Sequence, residues 1–125
     1  MKDKFYYKDG TTSSEPKTSK QLHRENGPAV ECTNGTKSWY VDGKQHREDG
    51  PACEYANGDK IWYIDNERHR TDGPAVECVD RYKSWYVDGK YYDEVDFNKL
   101  MEEVRELPLA LRLIDPREWV RKYEK

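Results

Sequence analysis

The stretch His46-Arg47-Glu48-Asp49-Gly50-Pro51-Ala52-Cys53 has a near-copy on each side, at His23-Arg24-Glu25-Asn26-Gly27-Pro28-Ala29-Val30 and at His69-Arg70-Thr71-Asp72-Gly73-Pro74-Ala75-Val76. The step is 23 residues both times, and Trp39-Tyr40, Trp62-Tyr63 and Trp85-Tyr86 recur at the same step. A fixed period of this length marks a repeat architecture, in which each unit buries its apolar face only by stacking on its neighbours.

Working outward, Lys4-Phe5-Tyr6-Tyr7-Lys8-Asp9-Gly10 reads as a degenerate copy of the strand ending in Trp39-Tyr40-Val41-Asp42-Gly43. Residues 1–22 are therefore expected to form a half-repeat cap followed by a mobile loop over 11–20. Within the repeats, Asn34-Gly35 and Asn57-Gly58 predict two-residue type I′ hairpin turns, and Asp42-Gly43, Asp65-Asn66 and Asp88-Gly89 predict a second reversal. With a two-residue loop at Asn34-Gly35, Val30 falls opposite Trp39, and Ala29 opposite Tyr40. The second turn places His46 opposite Trp39, His69 opposite Trp62, and Tyr92 opposite Trp85. The third counterpart of Asn-Gly is Asp80-Arg81, where a strained or longer turn is expected because Arg tolerates positive φ poorly. Gly50 and Pro51 break the strand and put a bend in every repeat.

After residue 92 the period changes. Phe97, Leu100, Met101, Val104 and Leu107 recur at helical spacing behind an acidic first turn, until Pro108. Asp115-Pro116 then opens a second helix through Trp119 and Tyr123. The expected fold is mainly β with a helical end (α+β). It comprises a curled antiparallel meander of three repeats (23–92), the half-repeat cap (1–22) and two C-terminal helices (93–125), all in one domain.

Composition narrows the function. Charged residues make up 38% against 34% apolar, so the core must be narrow and built on aromatics. The 22 basic and 25 acidic side chains are interspersed, with no basic stripe for a nucleic-acid backbone or an anionic membrane. Cys32, Cys53 and Cys78 fall on different rungs of the array, too far apart for disulfides, which predicts free thiols and a cytoplasmic compartment. No apolar run suggests a signal peptide or a membrane span.

The repeat also weighs against catalysis. Equivalent residues in adjacent two-stranded repeats lie ~10 Å apart, so His23, His46 and His69 cannot converge on one metal or one reacting centre. They read as structural residues beside the tryptophans. Arg24, Arg47 and Arg70 read as braces paired with Asp49, Asp72, Glu31, Glu54 and Glu77. No nucleophile, phosphate-loop or zinc-protease motif occurs, and no cofactor is expected.

A 23-residue hairpin unit with Trp-Tyr, an Asp-Gly turn, then His and a later Gly resembles the MORN repeat over residues 4–92. It is most similar to the divergent variant of bacteria, phages and large viruses, although Lys37, Lys60 and Lys83 stand where that family places glycine. The resemblance implies an elongated antiparallel sheet that binds a partner protein and is not an enzyme, in the manner of an accessory or regulatory protein acting on a host complex. The candidate contact residues are Tyr40, Tyr63, Tyr86, Arg47, Arg70 and Arg81. Two alternatives stand beside this: a small-molecule or catalytic pocket between the sheet and the C-terminal helices, and peripheral membrane binding as in some MORN proteins.

Overall fold

The computed structural model describes residues 2–17 and 21–106. In chain order its strands are β1 (Lys4–Tyr6), β2 (Thr12–Ser13), β3 (Val30–Glu31), β4 (Lys37–Ser38), β5 (Tyr40–Val41), β6 (Lys44–Gln45) and β7 (Cys53–Glu54). They continue with β8 (Lys60–Ile61), β9 (Tyr63–Ile64), β10 (Glu67–Arg68), β11 (Val76–Glu77), β12 (Lys83–Val87) and β13 (Lys90–Tyr92), and the helix α1 (Glu94–Arg105) follows. The chain is mainly β and antiparallel. One nine-stranded sheet runs in the order β13-β12-β11-β8-β7-β4-β3-β1-β2, and β5-β6 and β9-β10 form two small hairpins.

The hairpins continue the strands of the large sheet. β12 runs unbroken through Trp85, whereas in the first two repeats the middle strand is interrupted at its tryptophan, between β4 and β5 at Trp39 and between β8 and β9 at Trp62. Past that point it changes partners. Bonds from Arg47 N to Tyr63 O and from Asn66 N to Gln45 O join the two hairpins, and bonds from Arg70 N to Tyr86 O and from Gly89 N to Arg68 O join the second to β12. The result is two rows of short strand pairs, hinged along the tryptophans, with strand order running the same way in both.

The second reversal forms as the sequence predicts. Asp42, Gly43, Asp65, Asn66, Asp88 and Gly89 all have positive φ. The registers Tyr40↔Gln45, Arg68↔Tyr63 and Trp85↔Tyr92 leave two-residue loops, and His46 N bonds Trp39 O at 3.0 Å.

The first reversal differs from expectation. Val30 pairs with Ser38, not Trp39, and Glu31 with Lys37. The loop holds three residues, Thr33-Asn34-Gly35, closed by Gly35 N to Cys32 O at 3.0 Å and Cys32 N to Thr36 O at 2.9 Å. Only Gly35 takes positive φ. Asn34 uses its side chain instead, accepting from Thr36 N at 2.9 Å, so the loop is a turn followed by a glycine bulge. A one-residue change in register exchanges the faces. Val30 and Cys32 therefore join Ser38 and Tyr40, and Ala29 and Glu31 join Trp39 and Lys37. Asp80-Arg81 keeps this same three-residue loop, with Cys78 N bonded to Tyr82 O. The loop is not lengthened, and Arg81 takes the glycine conformation at φ 78°.

At the N-terminus β1 is bonded as the later tryptophan strands are. Tyr6 N bonds Ala29 O at 2.8 Å, as Trp39 N bonds Ala52 O and Trp62 N bonds Ala75 O. Part of the expected 11–20 loop is ordered as β2, which pairs with β1 and forms the sheet edge. At the other end α1 is capped by Asp93, whose side chain accepts from Asp96 N at 2.8 Å. Phe97 and Leu100 pack on Val87 and Tyr92, with Trp85, Met101 and Val104 around them. The second expected helix, over 115–125, lies outside the described residues.

Arg81→Gly is expected to stabilise the protein by about 1 kcal/mol, since a left-handed non-glycine residue costs roughly that much. A higher urea midpoint with unchanged slope is the measurement.

Candidate functional site

The two faces of the array carry different chemistry. On the outer face, Lys4 pairs with Glu31, Glu31 with Lys37, Lys37 with Glu54 and Glu54 with Lys60. Glu77 stands between Lys60 and Lys83. Alternating charge across every strand pair favours this register and cancels the field.

The same face holds the repeated motif, and its geometry explains each residue. The Arg47 guanidinium lies 3.9 Å from the Trp39 ring centroid, Arg70 3.8 Å from Trp62 and Arg24 3.9 Å from Tyr6. Each arginine thus stacks on the aromatic residue of the preceding repeat. Arg47 Nε donates to Asp49 at 3.0 Å, and Nη1 to Pro51 O at 3.0 Å and Glu54 at 3.5 Å. Arg70 repeats the set with Asp72, Pro74 O and Glu77 at 2.8, 3.0 and 2.9 Å. A glycine at a strand break commonly serves a positive backbone angle, but Gly50 does not. It is not among the positive-φ glycines. A Cβ on Gly50 would sit 3.0 Å from Arg47 Cζ, and one on Gly73 2.9 Å from Arg70 Cζ. The glycine makes room for the folded-back guanidinium. Ala29, Ala52 and Ala75 are fully buried beside the aromatic rings.

The histidines brace the second turn of their own repeat. Nδ1 of His23, His46 and His69 accepts the backbone N–H of Asp42, Asp65 and Asp88 at 3.0, 3.2 and 2.9 Å. An accepting Nδ1 places the ring proton on Nε2. Among the described residues no three His, Cys, Asp or Glu side chains are grouped to hold a metal. A groove of about 790 Å³ runs between successive motifs past Trp62 and His69, and the arginines that line it are already engaged by their own carboxylates.

The inner face is uncharged over most of its area. Val30, Ser38, Cys53, Ile61, Val76 and Ser84 occupy it in the large sheet. Cys53, Val76 and Ser84 are buried although α1 packs on the opposite side, so the hinged second row folds over them. Seven of the ten tyrosines point this way by strand alternation: Tyr7, Tyr40, Tyr55, Tyr63, Tyr82, Tyr86 and Tyr91. Tyr40, Tyr63 and Tyr86 are half-buried at the same repeat position, and Tyr55, Tyr82 and Tyr91 are 45%, 58% and 57% exposed. Tyr86 and Tyr91 meet edge-to-face at 5.6 Å.

The candidate residues named from sequence are therefore divided. The structure brings Tyr40, Tyr63 and Tyr86 together on the inner face, sends Arg47 and Arg70 to the outer face, and leaves Arg81 at an exposed hairpin tip. The inner face adds Arg68, which sequence reasoning passed over. Its Nη1 donates to the Tyr86 hydroxyl at 3.2 Å. Hydrogen bonds to Tyr63 and Tyr86 raise its pKa despite burial, so it stays charged. The available signal was a break in the period: Gln45, Arg68 and Tyr91 hold one repeat position.

No family model, curated protein or solved structure matches the chain.

The cysteines are free. Cys53 Sγ lies 3.6 Å from Ser38 Oγ. A hydrogen bond to that sulfur, helped by the charge it carries when ionised and by burial, pushes the Tyr55 phenol up to about 12. Burial raises Tyr40 as well. No helix among the described residues is long and apolar enough to cross a membrane.

Two outcomes follow from this geometry. Gly50→Ala is expected to cost about 1–3 kcal/mol by overpacking. In an Arg47→Ala background most of that cost disappears, which a double-mutant cycle of urea midpoints measures. The phenols that titrate higher when folded contribute stability that is complete below pH ~10, the unfolded tyrosine value, and is lost as pH rises toward about 12. An ultraviolet pH titration of folded protein should show part of the tyrosine population ionising above that of the unfolded chain.

Proposed function

We propose that the protein is a non-enzymatic, MORN-like repeat module that binds a partner protein through the inner, tyrosine-lined face of its hinged sheet. The single observation that carries this reading is the accumulation of tyrosines on that face, half-buried in register and exposed at its margins. Tyrosine offers a large rigid apolar surface with a polar tip at low entropic cost, and dominates protein interfaces for that reason. The outer face supports the choice by contrast, since its charged groups are paired with one another and its arginines are held within the fold. Arg68 within the face and Arg81 at its exposed hairpin tip are the basic residues this reading assigns to the contact. A role as an accessory or regulatory protein acting on a host complex, in the cytoplasm, is consistent with this architecture.

A second reading rests on the groove of about 650 Å³ between α1 and residues 71–74, lined in part by Trp85, Phe97 and Met101. It would take a small apolar ligand beside the packed Val87–Phe97 core.

The first reading predicts that Tyr63→Ala and Tyr86→Ala each weaken partner capture at least about tenfold, the effect of one interface anchor. Lys60→Ser on the outer face should leave capture unchanged. Stoichiometric pull-down from host lysate, quantified by mass spectrometry, is the measurement. Equal capture by all four proteins would rule out the inner face.

A further inference from the structure

Asn-Gly occurs three times, at Asn26-Gly27, Asn34-Gly35 and Asn57-Gly58. All three asparagines are exposed. Such a pair can close on itself, because a glycine without Cβ lets its backbone nitrogen reach the asparagine side-chain carbon. The structure treats the three pairs differently. Gly35 N donates to Cys32 O at 3.0 Å and Gly58 N to Tyr55 O at 2.9 Å. Asn34 and Asn57 accept through Oδ1 from Thr36 N and Asp59 N at 2.9 and 3.0 Å. In both hairpins the attacking nitrogen and the attacked amide are therefore tied up in separate hydrogen bonds. Among the described residues nothing bonds the Gly27 N–H or the Asn26 side chain, and residues 25–27 form a bend without a turn hydrogen bond.

Charge separates the pairs as well. A Cβ on Gly27 would lie 3.2 Å from Arg24 Cζ and 3.3 Å from its Nε, whereas one on Gly35 meets nothing within 4 Å and one on Gly58 meets only Val79. The Arg24 guanidinium thus lies over the Asn26-Gly27 link. A fixed cation at that place stabilises the negative charge that develops on an attacked amide.

The repeat gives the conversion a consequence. Asn26 stands where Asp49 and Asp72 stand in the next two repeats. Those carboxylates accept from Arg47 Nε and Arg70 Nε at 3.0 and 2.8 Å. Arg24 keeps the other two bonds of the set, to Pro28 O and Glu31 at 3.2 Å each. Among the described residues its Nε has no counterpart of the third. The first clamp lacks one carboxylate, and loss of the Asn26 amide nitrogen makes it.

We propose that Asn26 is a site of spontaneous deamidation, and that the aspartate formed completes the Arg24 clamp. The Gly27 nitrogen gives up its proton to water and bonds to Asn26 Cγ. The Cγ–Nδ2 bond breaks, and Nδ2 leaves as ammonia with a proton taken from water. Water then opens the five-membered imide. Attack at Cγ gives aspartate in an unaltered main chain, and attack at the main-chain carbonyl gives isoaspartate. Nothing is oxidised or reduced. In the aspartate product Arg24 Nε gains the partner that Arg47 and Arg70 already have, so the stack of Arg24 on Tyr6 is held as the two later stacks are.

The test holds the full chain in mildly alkaline buffer and maps timed samples by peptide mass spectrometry for amide-to-acid conversion. Asn26 is expected to convert at least about tenfold faster than Asn34 or Asn57, whose hydrogen bonds must break before attack. In denaturing urea the three rates should converge. Asp49→Asn moves the pair to the second clamp, and its new amide should convert as fast as Asn26. Asn26→Asp should raise the urea midpoint, a gain that disappears in an Arg24→Gln background. Equal rates at the three sites in the folded protein, or an Asn26 lead that persists undiminished in urea, overturns the assignment of the site. An Asn26→Asp midpoint at or below that of the unaltered chain overturns its role in the clamp.

Discussion

The structure depends on one contact made between repeats: a guanidinium laid flat on the aromatic ring of the unit before it. Arg24 on Tyr6, Arg47 on Trp39 and Arg70 on Trp62 are the same interaction three times. A cation over an aromatic face contributes ~0.5–2 kcal/mol depending on desolvation. Here it is combined with bonds to a proline carbonyl and to carboxylates that hold the arginine in place. Because ring and cation belong to different units, no repeat completes its own packing. The histidine bond is made within a repeat instead, tying its first residue to its second turn. Stability is then distributed along the array as nearest-neighbour terms.

That dependence explains both ends. The first full repeat needs an aromatic residue ahead of it, and β1 supplies Tyr6 without the rest of a repeat. The last ring, Trp85, has no arginine to follow, since Asp93 stands one period after Arg70. Asp93 instead caps α1, and Met101 and Val104 pack beside Trp85 around the Val87–Phe97 core. A helix thus replaces the fourth arginine, and the residue that ends the repeat pattern starts the element that closes it.

Much of this was legible from residues alone. The 23-residue step, the Asp-Gly reversals, the pairing of His46 with Trp39 and of Tyr92 with Trp85, and the first C-terminal helix all follow from spacing and turn chemistry. The hairpin at Asn34-Gly35 did not, because an Asn-Gly pair fits two loops. Either both residues take positive φ, or glycine alone does while asparagine bonds the backbone two residues on. The choice moves the register by one and so decides which residues share a face with Trp39. The role of Gly50 was hidden for a related reason: its constraint is a neighbouring side chain folded over it, which no local pattern records. The split between Tyr40, Tyr63 and Tyr86 on one side and Arg47 and Arg70 on the other follows from the strand alternation that puts Trp39 and Tyr40 on opposite faces. The outward placement was legible, and the internal saturation of those arginines was not.

The positions that vary between repeats now fall into place. Trp, His, Arg, Gly and Ala are fixed by the clamp, and Tyr40, Tyr63 and Tyr86 are constant although no clamp touches them. Their cross-strand partners are Gln45, Arg68 and Tyr91. These are the inner-face residues opposite the constant tyrosines, and they differ in size, charge and hydrogen-bonding at each step. The neighbouring inner-face positions vary as well, as Val30, Cys53 and Val76 and as Ser38, Ile61 and Ser84. The repeat supplies the spacing, and the column of Gln45, Arg68 and Tyr91 gives each tyrosine a different neighbour.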